Sequence, residues 1–182
     1  MDTLNSLFSK YCSDKGFDRH LYGNFYEQKL LSLKYDPIII LEIGLCIGGI
    51  DGIPSLMAWR DWFPNAIIIG IDNRDFTRFK TDRINIFQLD QGNKKEMELF
   101  AINNGPFDIV IDDGSHESLH IIDSIKVLLP YTKKFYFVED LIPSLNMDAI
   151  VYLDSTFNDR IDKYFSVCKE YDSQFLACVE VK

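Results

Sequence analysis

The stretch FDIVIDDGSH (residues 107–116) runs from β-forming residues into Asp112, Asp113 and His116, and FYFVEDL (135–141) runs likewise into Glu139 and Asp140. Side chains alternate along a strand, so Asp112 and Asp113 are expected to point different ways, one toward a cofactor and one toward a substrate mouth. Asp113, Glu139 and Asp140 can then converge. Carboxylates at close range repel and are driven toward protonation unless a cation sits among them, and oxygen-only ligands suit a hard ion such as Mg²⁺. His116, three residues beyond Asp113, is expected where the loop turns into the next helix, placed to accept a proton near neutral pH. His20 and His120 have no such setting. Taken singly, each acid also reads as a helix cap or a surface ion-pair partner, and His116 as a cap residue. The set together reads as an ion socket beside a base.

Two further motifs lie upstream. LEIGLCIGG (41–49) places Glu42 and Gly44, then Gly48 and Gly49, at the end of an apolar run. Glycines there let the backbone turn tightly and approach a ligand ahead of a positive helix N-terminus. The dinucleotide fingerprint is broken, because Cys46 stands where its second glycine belongs; a strand-to-helix turn without a ligand is the alternative. IGIDN (69–73) puts Asp72 at a strand end, 30 residues after Glu42, where an acid can accept both ribose hydroxyls of a nucleotide or cap a helix. Asp90-Gln91 could hydrogen-bond an adenine edge or start a loop.

These residues need a frame to hold them. Residues 38–43, 66–71, 107–111 and 135–138 are short, almost continuously apolar runs rich in Ile, Val and Phe, the pattern of strands buried on both faces. Residues 85–89 are a weaker strand candidate. Helical periodicity falls between them at 53–62, 94–103 and 118–129. Strand then helix, repeated, predicts an α/β fold, a doubly wound parallel sheet with helices on both faces. Residues 164–170 and 174–181, flanking Tyr171-Asp172-Ser173, predict a C-terminal hairpin closing one edge antiparallel. Before the first strand, residues 23–34 read as an amphipathic helix and 1–16 as a short helix and loop.

Composition narrows the function classes. A net charge of −9 disfavours a nucleic-acid face or adsorption to anionic membranes. Cys12, Cys46, Cys168 and Cys178 lack disulfide or zinc spacing and read as reduced thiols. There is no signal-peptide pattern and no apolar run of spanning length, so a cytoplasmic setting is expected.

Taken in order, SDKG (13–16), Tyr22, Tyr26-Glu27, LEIGLCIGG, FPNAIIIGID, LDQ (89–91), FDIVIDDGSH and VEDL resemble the metal-dependent sugar O-methyltransferases that decorate macrolide and polyketide deoxysugars. The resemblance covers about residues 9 to 141, and the IDDGSH and VED blocks are its most specific part. It implies a Rossmann-like class I methyltransferase fold with a reversed strand near one edge, and S-adenosyl-L-methionine as cofactor. Glu42 and Gly44 would approach the methionine part, Asp72 the ribose, Asp90 and Gln91 the adenine region, and Asp112 the cofactor side. Asp113, Glu139 and Asp140 would hold Mg²⁺ and His116 would be the base, with Asp113 beside it. Asp14, Lys15, Tyr22 and Tyr26 would form a lid over the cofactor. Ile50-Asp51-Gly52-Ile53-Pro54 departs from the small-residue helix start of that family. The implied reaction is methyl transfer to a hydroxyl of a sugar, a deoxyhexose such as rhamnose in a glycoside or glycan. A catechol O-methyltransferase, a nicotinamide oxidoreductase and a silent methyltransferase-like module are the alternatives. One domain over residues 1–182 is expected, the first 35 residues helical; it could be one module of a larger polypeptide.

Overall fold

The computed structural model describes residues 2–16, 19–46, 51–166 and 174–181. Seven strands form one sheet: β1 (Ile39–Ile43), β2 (Ile67–Asp72), β3 (Ile84–Gln88), β4 (Phe107–Asp112), β5 (Thr132–Leu141), β6 (Ile161–Phe165) and β7 (Phe175–Glu180). Their order is β3-β2-β1-β4-β5-β7-β6. The pairings β1–β2, β1–β4, β2–β3 and β4–β5 are parallel, and β7 runs antiparallel to both β5 and β6. An antiparallel pair closes the edge with β7 inserted between β5 and β6; its first strand, expected over 164–170, is Ile161–Phe165, and residues 167–170 lie outside the described residues. Its predicted turn at 171–173 lies outside the described residues.

The central runs are almost continuously apolar, Glu42 and Asp108 being the exceptions, because both faces of the sheet are covered. Ile40, Ile68, Ile86, Ile109 and Ile111 pack on one side with residues of α1 (Leu4–Lys10), α2 (Tyr22–Leu30) and α3 (Pro54–Trp62). Leu41, Ile43, Ile69, Ile71 and Val110 pack on the other with α4 (Lys94–Asn104), α5 (Ser118–Leu128) and α6 (Pro143–Phe157). Adjacent residues thus feed opposite cores, as the two-residue period of a strand requires.

Several expectations shift. The helix expected over 23–34 ends at Leu30 and continues only as a 3₁₀ turn, Leu31–Leu33. β5 runs well past the 135–138 run at both ends. α6 had no counterpart in the sequence reading, although Pro143 at its first turn and the buried stripe Ala149, Ile150, Leu153 and Phe157 are helix signals. A non-helical residue, Asn146, interrupts its first turn and breaks the periodicity just where a helix start would be sought.

The topology fixes where a site can form. β1 is flanked by β2 on one side and β4 on the other, so consecutive connections leave in opposite directions and open a crevice at the strands' carboxyl ends. Gly44 and Asp113 meet there: the Gly44 N–H donates to Ile71 O at 2.9 Å and the Asp113 N–H to Ile43 O at 3.0 Å. Gly44 has φ +83°, and a Cβ on it would lie 2.0 Å from Asp113 O. Only glycine lets the two strand ends come this close.

Candidate active site

Two clefts open at this end of the sheet and share Cys46, Asp113 and Gly114. One, of about 420 Å³, is bordered by Gly44, Asp72, Asp90, Gln91 and His120. The other, of about 340 Å³, is bordered by Asp14, Lys15, His20, His116, Asp140 and Gln174. Both volumes fall within the range of small-molecule sites, about 300–1,000 Å³.

Asp72 ends β2 with its carboxylate facing the first cleft. Its Oδ2 accepts the Leu45 N–H at 3.0 Å and its Oδ1 the Arg74 N–H at 2.8 Å. It therefore caps no helix; it pins the start of the turn after β1, and each oxygen keeps a lone pair for a further donor. Asp90 accepts the Gly92 N–H at 2.9 Å and so starts a loop. Gln91 is committed inward: its amide donates to Asp112 (2.8 Å) and Ser124 (3.0 Å) and accepts the Ser115 N–H (2.9 Å). The adenine-edge contact expected of the Gln91 amide is thus replaced by a bracket that holds the 113–115 loop. Gly48 and Gly49 lie outside the described residues.

The alternation expected at the end of β4 is present. Asp112 is buried toward α5, bonded to Gln91, and burial pushes its carboxyl up to about 7 against that hydrogen bond. Asp113 points to the other face, where the Lys15 ammonium sits. Lys15, 1% exposed, pairs closely with Asp113, with Glu139 at 2.9 Å and with Glu42 at 3.6 Å. Burial disfavours its charge, but Asp113, Glu139 and Glu42 outweigh that and hold it well above its usual range. The cation among the acids is thus a side chain of the chain itself. Lys15, Tyr22 and Tyr26 do not lie over the cofactor cleft as a lid. They are buried beneath the acids, with the Tyr26 hydroxyl donating to Glu139 and the Tyr22 hydroxyl to Asp140 at 2.9 Å. The sequence spacing could not show this, because the pairs lie 98 to 124 residues apart.

Glu42 borders neither cleft. It is fully buried, accepts from Trp59 Nε1 at 2.6 Å, and faces Lys15. Burial pushes its carboxyl up to about 7, with Lys15 opposing. A raised acid binds its proton more tightly in the folded than in the unfolded chain. Its contribution to stability is therefore complete below the unfolded value and is lost as pH rises through about 7. Urea unfolding of the wild-type protein should show stability falling between pH 5 and pH 8, and Glu42→Gln should remove about 3 kcal/mol of that fall. Parallel profiles for the two proteins would refute this assignment.

Asp140 reaches the second cleft by a backbone irregularity. Between β5 and β7, Val138 pairs with Ala177 but Leu141 with Phe175, so β5 carries one extra residue. Asp140 sits in this bulge with φ +55°, and bulges re-aim side chains at sites. Its Oδ1 accepts from Tyr22 and, at 2.6 Å, from Gln174 Nε2. His116 also has positive φ, +57°, and its Nε2 lies 3.9 Å from Asp113 Oδ1. Donor atoms of Asp113, His116 and Asp140 lie within 4.8 Å of one another, as do those of Asp14, His20 and Asp140. Glu139 is in neither group; Tyr26 and Lys15 take its two oxygens.

Both histidines set aside on sequence grounds border a cleft. His20 is buried, stacks on Tyr22 with centroids 5.0 Å apart, and lies 3.7 Å from Asp14 and 3.9 Å from Asp140. His120 contacts Ser115 Oγ at 2.9 Å.

The donors suit the ion the sequence suggested. Asp113 and Asp140 supply hard oxygen ligands on one side of a cleft.

No protein-family model matches the chain. It is 36% identical, over 76% of its length, to a Streptomyces olivaceus 8-demethyl-8-(2-methoxy-alpha-L-rhamnosyl)-tetracenomycin-C 3'-O-methyltransferase. It is 34% identical over 78% to the L-olivosyl-oleandolide 3-O-methyltransferase of Streptomyces antibioticus. The chain spans only 36% and 38% of the length of these two relatives. Among solved structures, the MycE methyltransferase of the mycinamycin biosynthetic pathway, in complex with Mg, SAH and mycinamycin VI, superposes with a TM-score of 0.82 at 27% identity. That match covers 98% of this chain and 54% of the other. By sequence and fold, across little more than a third of those relatives' length, the chain belongs to the class I sugar O-methyltransferase family.

Proposed function

We propose that the chain catalyses transfer of a methyl group from S-adenosylmethionine to a sugar hydroxyl, on a deoxyhexose such as rhamnose carried by a glycoside or glycan. The observation that carries this reading is the convergence of Asp113, Asp140 and His116 at the second cleft, which shares Asp113 with the first. The names of the relatives support the acceptor class. The cleft bordered by Gly44, Asp72 and Asp90 would take the cofactor, Asp72 offering its spare lone pairs to ribose hydroxyls. Asp113 and Asp140, with Glu139, would hold Mg²⁺. When bound, the cofactor supplies an electrophilic methyl group and the ion acidifies a hydroxyl oriented beside it.

His116 accepts the proton of that hydroxyl at Nε2, so no free proton is released in the cleft. Asp113 Oδ1 lies 3.9 Å from that nitrogen. Lys15 holds the charge of Asp113 and Glu139 in place from below, and Tyr22 and Gln174 orient Asp140. A net charge of −9 disfavours a nucleic-acid partner. Among the described residues, no helix is long and apolar enough to cross a membrane. We place the enzyme in the cytoplasm, where reduced thiols such as Cys12 persist.

The test is titration calorimetry with SAH and, in parallel, NADH, followed by a screen of rhamnosides and catechols with Mg²⁺. Saturable SAH binding, no NADH binding and methylation confined to glycosides is the expected result. NADH binding alone would replace methyl transfer by a nicotinamide reaction, and turnover of catechols alone would move the acceptor to aromatic diols.

A further inference from the structure

Two residues of the proposed site, His116 and Asp140, hold left-handed backbone conformations, φ +57° and +55°. Such conformations cost a residue other than glycine about 1–3 kcal/mol and persist only where surrounding structure enforces them. One side chain outside both clefts touches the segments that carry them. Asn146, 2% exposed, donates from Nδ2 to the backbone carbonyl of His116 at 2.6 Å. Its Oδ1 accepts the Ile142 N–H, two residues after Asp140, at 2.9 Å. A carbonyl can only accept and an N–H can only donate, so the orientation of this amide is fixed by its partners. Asn146 departs from helical geometry, φ −118° and ψ 26°, inside the first turn of α6. The helix is broken at the one position from which the amide reaches both loops.

We propose that Asn146 is a positioning residue that clasps the His116 loop to the turn after Asp140 and sets the spacing between base and acid. This rests on the site proposed above only in giving that spacing a purpose. A plain capping role would need the Oδ1 bond alone, and Asn146→Asp separates the two: aspartate keeps the acceptor for Ile142 and loses the donor to His116. Its added negative charge would, by itself, strengthen cation binding, so a weaker ion site reports the parting of the two loops and not the charge acting on the ion.

Mn²⁺ is the probe, titrated calorimetrically into wild type, Asn146→Asp and Asn146→Ala, with SAH affinity and melting temperature measured alongside. Both variants should bind Mn²⁺ about 10- to 100-fold more weakly, the usual penalty for removing a group that orients ligands. Asn146→Asp should keep its SAH affinity and fold. Wild-type Mn²⁺ affinity in Asn146→Asp, with loss only in Asn146→Ala, would overturn the clasp and leave a cap. If Asn146→Ala does not fold, Asn146→Asp decides alone. Absence of Mn²⁺ binding in the wild type would count against the ion site instead. The clasp would then be judged by amide exchange at residues 114–117, which should quicken in Asn146→Asp and whose constancy would overturn it.

Discussion

His116→Ala should lower turnover of a rhamnoside acceptor by about 10²- to 10⁴-fold, the range for removing a positioned general base, while SAH binds with unchanged affinity. The imidazole is 40% exposed, so its loss opens no cavity in the core. What ties this loop down is the backbone carbonyl of His116, held by Asn146, and the alanine variant keeps it. The defect should therefore fall on the chemical step alone, and added imidazole should restore part of the rate. Turnover within threefold of wild type would remove His116 as the base and direct attention to His20, which lies 3.9 Å from Asp140.

Lys15→Met should cost about 3–5 kcal/mol of folding stability at pH 8, the usual price of breaking a buried ion pair from one side. Methionine matches the length of the stem but leaves Asp113, Glu139 and Glu42 facing one another without a counter-charge. Glu42 Oε1 makes no hydrogen bond and faces the ammonium at 3.6 Å, while Glu139 Oε2 and Asp113 Oδ2 accept from that ammonium. Burial already raises all three acids with Lys15 present, and its removal would raise them further. The loss should shrink toward pH 5, because acids with raised values regain their protons as pH falls. Urea unfolding at the two pH values measures both effects. A variant as stable as wild type at pH 8 would mean that Tyr26 and Trp59 alone satisfy the cluster.

The strand runs around residues 38–43, 66–71 and 107–111 could be read directly, since a strand covered on both faces is apolar at nearly every position. The same holds for the acids at their ends: a charge closing such a run has to emerge at the sheet's carboxyl edge. The separate directions of Asp112 and Asp113 followed from the two-residue period of the backbone. Glycine at position 44 could likewise be read as a close approach, although its partner, the Asp113 carbonyl, lies far along the chain.

Tertiary structure decided what those residues touch. The family resemblance implies a lid of Lys15, Tyr22 and Tyr26, yet Tyr22 and Tyr26 on α2 and Lys15 ahead of it meet the acid cluster from below. Glu42 and Gln91 became scaffold rather than ligand contacts once Trp59, Lys15, Asp112 and Ser115 took their polar atoms. The bulge that brings Asp140 around depends on the register of β5 against β7, a strand more than thirty residues later. Local sequence governs which backbone conformations and faces are available, because those depend on a residue and its near neighbours. Which buried polar atoms satisfy one another is settled only when distant segments pack, and in this protein that pairing shapes the site.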